Sequence, residues 1–327
     1  METSVGIVGG GGYTAGELIR LLLHHPEVSL DFVYSRSQGG KPVSSVHQDL
    51  VGEADFPFSD TVNTEVDVIF LCMGHGNSRP FLEEHPLPEH VNIVDLSRDF
   101  RLKEEASPGN GRTFVYGLPE LNREAIKKTQ LVANPGCFAT AIQLVLLPMA
   151  DHKKLLEDVN IHAITGSTGA GQKPRDTTHF SWREGNVSIY KAFTHQHLDE
   201  IKQSVWALQG IYNKEINFIP MRGNFTRGIF VSAYTQTDLT EQEAVDLYRD
   251  YYDEAVFTVV SPNPLHLKQV VNTNKCLLHV EKHGENLLVT SIIDNLLKGA
   301  SGQAVHNMNL MLGLPEDTGL KLKSSYF

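Results

Sequence analysis

Val5-Gly6-Ile7-Val8 is a short unbroken apolar run, followed by glycines and then by Leu18, Leu21 and Leu22 at helical spacing. That order predicts a buried strand, a tight turn and an amphipathic helix, the opening of a βαβ unit. Further apolar runs come at Leu30 to Tyr34, Val66 to Met73, Val91 to Leu96 and Leu131 to Ala133, separated by polar stretches with Gly and Pro. Continuous rather than alternating apolar runs fit a parallel sheet covered on both faces. The longest apolar stretch, Ala139 to Ala150, contains Thr140, Gln143 and Pro148. It falls short of the roughly 20 residues of a membrane span and predicts a buried helix.

Beyond Pro148 the pattern changes. Longer runs with some alternation appear at Val159 to Thr165, Ile216 to Pro220, Gly228 to Gln236, Lys275 to Glu281 and Asn286 to Asp294. They predict a mixed or antiparallel sheet. Thr240-Glu241-Gln242-Glu243 has the Thr/Glu spacing of a capping box and opens a helix through Tyr248 and Tyr251. The expected fold class is α/β: a Rossmann-like parallel-sheet domain over 1–136, then an α+β catalytic domain with a mixed or antiparallel sheet over 137–302. A chain of 327 residues exceeds the length at which one core keeps growing, which agrees with two domains.

Composition narrows the classes of function. Hydrophobic residues at 41% and charged residues at 20% suit a globular chain without long disordered tails. The formal charge of −11 repels phosphate backbones, and no basic cluster overcomes it, so neither nucleic acid nor an anionic membrane is an expected partner. The start, Met-Glu-Thr-Ser, lacks a basic stretch and apolar segment, so the cytoplasm is the expected location. Three cysteines at 72, 137 and 276 show no C-x-x-C spacing and are expected as free thiols.

Candidate chemistry begins at Gly9-Gly10-Gly11-Gly12-Tyr13-Thr14-Ala15-Gly16. A glycine-rich strand-to-helix turn lets a dinucleotide pyrophosphate approach bare backbone and helix N-terminal amides. Gly9, Gly12, Tyr13 and Thr14 are therefore candidate cofactor ligands, against the alternative of a turn needed only for packing. NAD sites end the second strand with an acidic residue, whereas this one ends Tyr34-Ser35-Arg36-Ser37. Ser35, Arg36 and Ser37 suit a 2′-phosphate, so NADP is the expected cofactor; Asp31 comes too early in the strand.

In Asn134-Pro135-Gly136-Cys137-Phe138-Ala139-Thr140 a strand ends, the chain turns, and Cys137 stands at the start of an apolar helix. The helix N-terminus favours thiolate, and the amides of the turn could hold an oxyanion on an attached acyl carbon. Cys72 and Cys276 read as small buried hydrophobes. Thr194-His195-Gln196-His197-Leu198-Asp199-Glu200 supplies two imidazoles and a carboxylate, and a Cys nucleophile needs such a base. The alternatives are a solvated polar helix start or a His-x-His metal pair; no accompanying ligand set supports metal, and none is expected.

Glycines and hydroxyls interleave in Thr165-Gly166-Ser167-Thr168-Gly169-Ala170-Gly171, so Gly166, Gly169 and Gly171 are candidates to wrap the nicotinamide or a phosphate, with a flexible loop as the plain reading. Arg98 and Arg101 follow another strand of the first domain on the ligand-binding edge, and Arg101 could grip phosphate bidentately; a surface ion pair with Asp99 or Glu104 is the alternative.

Together these blocks, with Gly39-Gly40-Lys41-Pro42-Val43, Tyr116 to Leu121 and Gly299 to Val305, resemble the N-acetyl-gamma-glutamyl-phosphate reductase family of the aspartate-semialdehyde dehydrogenase superfamily, over nearly the whole chain. The resemblance implies a Rossmann domain to which the last helix returns, so that 303–327 joins 1–136. It implies catalysis by Cys137 with His197 or His195, and a substrate set of Arg101, Tyr190, Glu200 and Asn134. Two departures stand out: Ala15 replaces the usual third glycine, with Gly16 next, and Leu198-Asp199 replaces a common X-Pro before Glu200. The second bears on the N-acyl group, N-acetyl by default and N-succinyl as the alternative.

The implied chemistry is NADPH-dependent reduction of an acyl phosphate through a Cys137 thioester, in arginine biosynthesis. Other acyl phosphates (aspartyl, or aminoadipyl on a carrier), a non-redox Cys-His acyl transferase or hydrolase, and an NADP-binding sensor are the rivals. A homo-oligomer, dimer or tetramer, is expected.

Overall fold

The first apolar run forms β1 (Thr3–Val8), and Leu18, Leu21 and Leu22 line the buried side of α1 (Tyr13–Leu23). The architecture is taken from a computed structural model and describes residues 2–109 and 111–327. It divides into two units, Met1–Pro135 with Ala300–Lys321, and Gly136–Gly299 with Leu322–Phe327.

In the first unit β1 and α1 are followed by β2 (Val28–Tyr34), β3 (Val68–Leu71), α2 (Ser78–Glu84), β4 (Asn92–Asp95), β5 (Val115–Tyr116), α3 (Pro119–Ile126) and β6 (Leu131–Ala133). The sheet order is β2-β1-β3-β4-β6-β5, with every pair parallel. Neighbours are added on one side of β1 by β2 and on the other by β3. The order therefore reverses at β1, and in open sheets of this kind ligands bind outside the strand ends at that switch. β3 is buried at every residue, which is why it reads as a continuous apolar run.

The second unit opens with α4 (Cys137–Asp151), then β7 (Val159–Thr165), α5 (Phe180–Arg183), β8 (Ser188–Ile189), α6 (His197–Gln209), β9 (Ile216–Arg222), β10 (Ile229–Gln236), α7 (Glu241–Tyr251), β11 (Thr258–Val260), β12 (Cys276–His283) and β13 (Asn286–Ile293). Its sheet order is β11-β12-β13-β10-β7-β9-β8. The β7/β9 and β11/β12 pairs are parallel and the rest antiparallel, so the sheet is mixed. Both halves of the expected capping box form at Thr240 and Glu243.

After Gly299 the chain returns to the first unit through α8 (Ser301–Met311), which packs against α1 and α3. The expected return of 303–327 needs correcting at its end. Leu322–Phe327 belongs to the second unit, where the Ser325 amide donates to the Val271 carbonyl at 3.0 Å and Asn272 Nδ2 donates to Ser325 Oγ at 2.7 Å.

Helix α4 is buried from Phe138 through Ala150. Its length and near-total burial account for the long apolar run, and Pro148 inside it creates a local problem. Proline has no N–H to offer the carbonyl four residues earlier, at Leu144. The Tyr252 hydroxyl donates to that carbonyl at 2.6 Å, and the Tyr248 hydroxyl donates to the Val145 carbonyl at 2.5 Å. Both tyrosines are buried, so neither carbonyl has bulk water as an alternative. Tyr252→Phe is therefore expected to destabilise the chain by about 1–3 kcal/mol, read as a lower urea midpoint with an unchanged slope. An unshifted midpoint would mean the Leu144 carbonyl finds another donor.

Candidate active site

At the switch point of the first unit, the Gly9 and Gly10 amides both donate to the Tyr34 carbonyl, at 3.0 and 2.9 Å. This joins the glycine turn to the end of β2. Gly9 has φ +92°, and a Cβ there would lie 2.7 Å from the Cys72 carbonyl carbon, so a side chain is excluded on both counts. A Cβ at Gly11 or Gly12 would meet nothing within 4 Å, and α1 starts without a side-chain cap. Open space before uncapped helix amides fits a pyrophosphate. Tyr13 and Thr14 are the first residues of α1, and Tyr13 is exposed.

Gly16, displaced by one from the usual third glycine, has a reason of its own. A Cβ there would come 2.6 Å from His47 Nδ1, while His47 Nε2 bonds the Gly10 carbonyl at 2.7 Å. Ala15 is fully buried without conflict. Beyond β2, Ser35 is buried, whereas Arg36 and Ser37 are exposed. The Arg36 guanidinium lies 4.0 Å from Glu84 and is 84% exposed, a pair too weak to hold it from a phosphate. Asp31 lies mid-strand and accepts from Asn63, away from the tip.

Arg101 is 5% exposed, not on the surface as an ion pair with Asp99 or Glu104 would require. Its Nε donates to the Asn134 carbonyl at 2.8 Å and its Nη2 to the Leu96 carbonyl at 3.0 Å. Nearby, burial pushes the Asp95 carboxyl up, against bonds from Ser78 and Ser97 and the Arg101 charge. Asn134, expected among the substrate ligands, has its side chain engaged elsewhere: Nδ2 donates to the Ala300 carbonyl and Oδ1 accepts from Asn307, both at 3.0 Å. The structure gives it the work of tying the end of β6 to the start of α8. Cys72, directly after β3, has its thiol pushed up by burial and by Asp95, as suits an inert thiol.

In the second unit Cys137 is the first residue of α4, half-buried, after the N-cap Gly136 with extended backbone. No side chain caps this 15-residue helix, so its partial positive charge lies at the sulfur. His197, the first residue of α6, is brought to this point by the packing of α6 against α4, and His195 lies two residues before it. A Cβ on Gly136 would lie 2.3 Å from His197 Nε2, so the imidazole edge rests directly on the Gly136 backbone beside the cysteine. Glu200, one turn along α6 and 2% exposed, accepts from the Gly136 amide at 3.0 Å. Gly299 supports the other side: a Cβ there would come 2.8 Å from Cys137 Cβ.

His195 and His197 are both buried, with ring centroids 4.6 Å apart, among Phe138, Phe218 and Tyr190. His195 Nδ1 accepts from the His197 amide at 3.2 Å, which leaves the proton of the neutral ring on Nε2. Burial, then the Lys191 and Arg222 charges, lower its pKa to about 4. The phenol of Tyr190 is held above its usual range by burial and by the charge of Cys137. Among the described residues no group of three His, Cys, Asp or Glu could hold a metal.

The Gly166–Gly171 loop is held rather than flexible. Thr168 Oγ1 donates to the Thr226 carbonyl at 2.6 Å, and Asn295 bonds both Thr168 and the Gly228 amide. Gly166 is required by packing, since a Cβ would lie 2.4 Å from the Thr226 carbonyl oxygen. A Cβ on Gly169 would come 3.2 Å from Thr165 Oγ1, and Gly171 has φ +78°. Sequence reasoning missed Arg222, because the expected strand stopped at Pro220 whereas β9 continues to Arg222. There Arg222 pairs with Thr165, just before the glycine loop, and its guanidinium carbon lies 4.5 Å from the Tyr190 ring centre. The available signal was a basic residue at the end of a strand that precedes glycine.

Comparison with known proteins follows the same division. Residues 4–129 match the model "Semialdehyde dehydrogenase, NAD binding domain" and residues 137–295 match "Semialdehyde dehydrogenase, dimerisation domain". The N-acetyl-gamma-glutamyl-phosphate reductase of Christiangramia forsetii is 58% identical over 98% of this chain and 99% of its own. That of Phocaeicola vulgatus is 56% identical over 98% and 99%. Among solved structures, aspartate semialdehyde dehydrogenase II from Vibrio cholerae, complexed with ASA, covers 96% of this chain and 99% of its own at 15% identity, with a TM-score of 0.70. Aspartate semialdehyde dehydrogenase with NADP from Candida albicans covers 95% of this chain at 12% identity, with a TM-score of 0.69. These two likenesses are of fold.

The buried ring of His195 gives a direct check on the electrostatics. Its folded pKa is below the ordinary 6.5, so the native chain keeps it neutral, and the stability tied to that neutral ring is lost as pH falls from about 6.5 towards 4. An NMR titration is expected to show one histidine with a midpoint near 4 that disappears in His195→Gln. A midpoint near 6.5 for His195 would contradict the described environment.

Proposed function

The chain belongs to the N-acetyl-gamma-glutamyl-phosphate reductase family, and from that premise we propose that it reduces N-acetyl-gamma-glutamyl phosphate to N-acetyl-glutamate 5-semialdehyde and phosphate, with NADPH, in arginine biosynthesis. The observation that carries the chemistry is the packing of His197 Nε2 and Glu200 on Gly136, next to the cysteine that starts α4. Nucleophile, base and helix amides are thereby joined at one turn.

In this reading the Cys137 thiol gives its proton to His197, and the thiolate attacks the γ-carbonyl of the acyl phosphate. The oxyanion that forms is stabilised by the amides at the start of α4. Phosphate then leaves and Cys137 carries a thioester, with Arg101 assigned to the phosphate. His195, whose pKa is lowered to about 4, is neutral across the working range. That favours His197 as the proton carrier and His195 as the group that lines its ring. Glu200 holds the Gly136 amide and so acts as a positioning residue for the turn. Tyr190 completes the substrate surface on the far side of His195.

The cofactor fits the first unit. Gly9, Gly12, Tyr13 and Thr14 would hold the pyrophosphate, and Ser35, Arg36 and Ser37 the adenosine ribose with its 2′-phosphate. Gly166, Gly169 and Gly171 are assigned to the nicotinamide end. NADPH, when bound, supplies the hydride that takes the thioester to a thiohemiacetal. His197 returns its proton to the alkoxide as the tetrahedral species forms and takes the hydroxyl proton back as the C–S bond breaks, which releases the aldehyde and restores the Cys137 thiolate beside protonated His197. Asn134, whose side chain is already bonded to Ala300 and Asn307, is left to support the turn.

We read the protein as a homo-oligomer, dimer or tetramer, in line with the dimerisation-domain match, and as cytoplasmic. No helix among the described residues is long and apolar enough to cross a membrane.

The assay is reduction of NADP with N-acetyl-glutamate semialdehyde, which reverses the proposed reaction. Turnover is expected to need added phosphate and to vanish in Cys137→Ala. His197→Asn is expected to lose about 10²–10⁴-fold in kcat. Turnover that persists without phosphate or without Cys137 would contradict the thioester route.

A further inference from the structure

Three arginines, Arg183, Arg222 and Arg227, cluster in sequence or space around the end of β9, and they differ in what they hold. Arg183 is 6% exposed, and its Nη atoms donate to the carbonyls of Asn186, Arg222 and Thr177 and to Ser188 Oγ. It braces the backbone. Arg227, a little further on, is locked to the buried Asp294 through Nε at 3.0 Å and Nη2 at 3.2 Å. Arg222 has neither kind of partner. Among the described residues no carboxylate pairs with it, and no carbonyl takes its place; its Nε, like that of Arg183, is buried without a hydrogen-bond acceptor. A guanidinium is always charged, and leaving one of its donors dry and unmatched is unfavourable.

The place of this cation is what gives it meaning. Its carbon stands 4.5 Å from the ring centre of Tyr190, a contact that fixes the plane of the fork. The Tyr190 ring lies 5.8 Å from His195, and His195 lies 4.6 Å from His197. Lys191 adds a second positive charge, with its Nζ bonded to Gln196 at 2.9 Å. The segment is held in a demanding backbone, with Lys191 at φ 47° and Phe193 at φ 61°. Pairing of Arg222 with Thr165 and of Ser188 with Arg222 brings the β8, β9 and β7 ends together here. In a chain with a formal charge of −11, a cation without an acid beside the histidines calls for an anion from outside.

We propose that Arg222 anchors a carboxylate of the substrate, with Tyr190 setting the orientation of the guanidinium. This rests on the reading of the site as an N-acyl-glutamyl phosphate reductase. A planar fork suits a planar carboxylate through two parallel bonds. The substrate offers such a group at its α-carbon, and an N-succinyl form would offer a second at the end of its acyl group. Arg222 acts on binding and on register, and takes no part in the proton path.

The test compares wild type, Arg222→Met and Arg222→Lys in phosphate-dependent NADP reduction, with N-acetyl- and N-succinyl-glutamate semialdehyde as separate substrates. Arg222→Met is expected to raise the semialdehyde KM by about tenfold to a hundredfold, with kcat falling far less, and Arg222→Lys to recover part of the loss. The KM values for NADP and phosphate should stay put, and thermal melting should confirm a folded variant. An equal loss on both semialdehydes assigns the α-carboxylate. A loss confined to the N-succinyl compound assigns the distal one and makes Arg222 a determinant of acyl specificity. Unchanged semialdehyde KM values in a wild type that turns over, or a rise in the phosphate KM alone, would overturn the anchor. A wild type that turns over neither semialdehyde would instead overturn the reading of the site and the anchor with it.

Discussion

A single backbone amide, that of Gly136, holds the thiol site together. Glu200 accepts from it at 3.0 Å, and the ring of His197 rests on the α-carbon that carries no side chain. A methyl group at this position would overlap the imidazole, so glycine is a requirement of packing here rather than of backbone conformation, whose φ of −71° any residue could adopt. Because His197 and Glu200 are one turn apart on α6, one helix delivers both contacts, and its packing on α4 fixes the base relative to the sulfur. The same approach leaves the first amides of α4 without a side-chain cap, which is the arrangement an oxyanion needs.

The buried length of α4 is what makes that start rigid. Thirteen consecutive residues from Phe138 to Ala150 are buried, and the one flaw that Pro148 introduces is met by a tyrosine hydroxyl. Glycines serve as fitted surfaces in each unit: Gly299 against Cys137 and Gly166 against Thr226 in the second, Gly9 against Cys72 in the first. Electrostatics divides the two histidines. Burial and two neighbouring cations keep His195 neutral near pH 7.

Much of this was legible from the chain, and the parts that were not share a cause. Short apolar runs gave the strands β1 to β4, and Thr240 with Glu243 gave the start of α7, because periodicity and capping are local signals. The two-residue strands β5 and β8 carry no period and are made by their neighbours. Cys137 and the histidines were legible as chemistry at a helix start, although only the fold shows that His197 lies against Gly136. Asn134 read as a ligand because polar residues in a turn look alike from sequence. Its bonds to Ala300 and Asn307 come from contacts with distant segments. Arg222 was hidden for the opposite reason: its importance lies in a partner that the chain does not provide.

The central claim is that Cys137 carries the acyl group. Mass spectrometry of enzyme incubated with N-acetyl-glutamate semialdehyde and NADP, without phosphate, tests it most directly. Oxidation should then stop at the thioester, adding the mass of one N-acetylglutamyl group to the peptide that contains Cys137, and phosphate should discharge it. An enzyme that reduces NADP while this peptide stays unmodified, or that carries the group on another residue, would contradict the account.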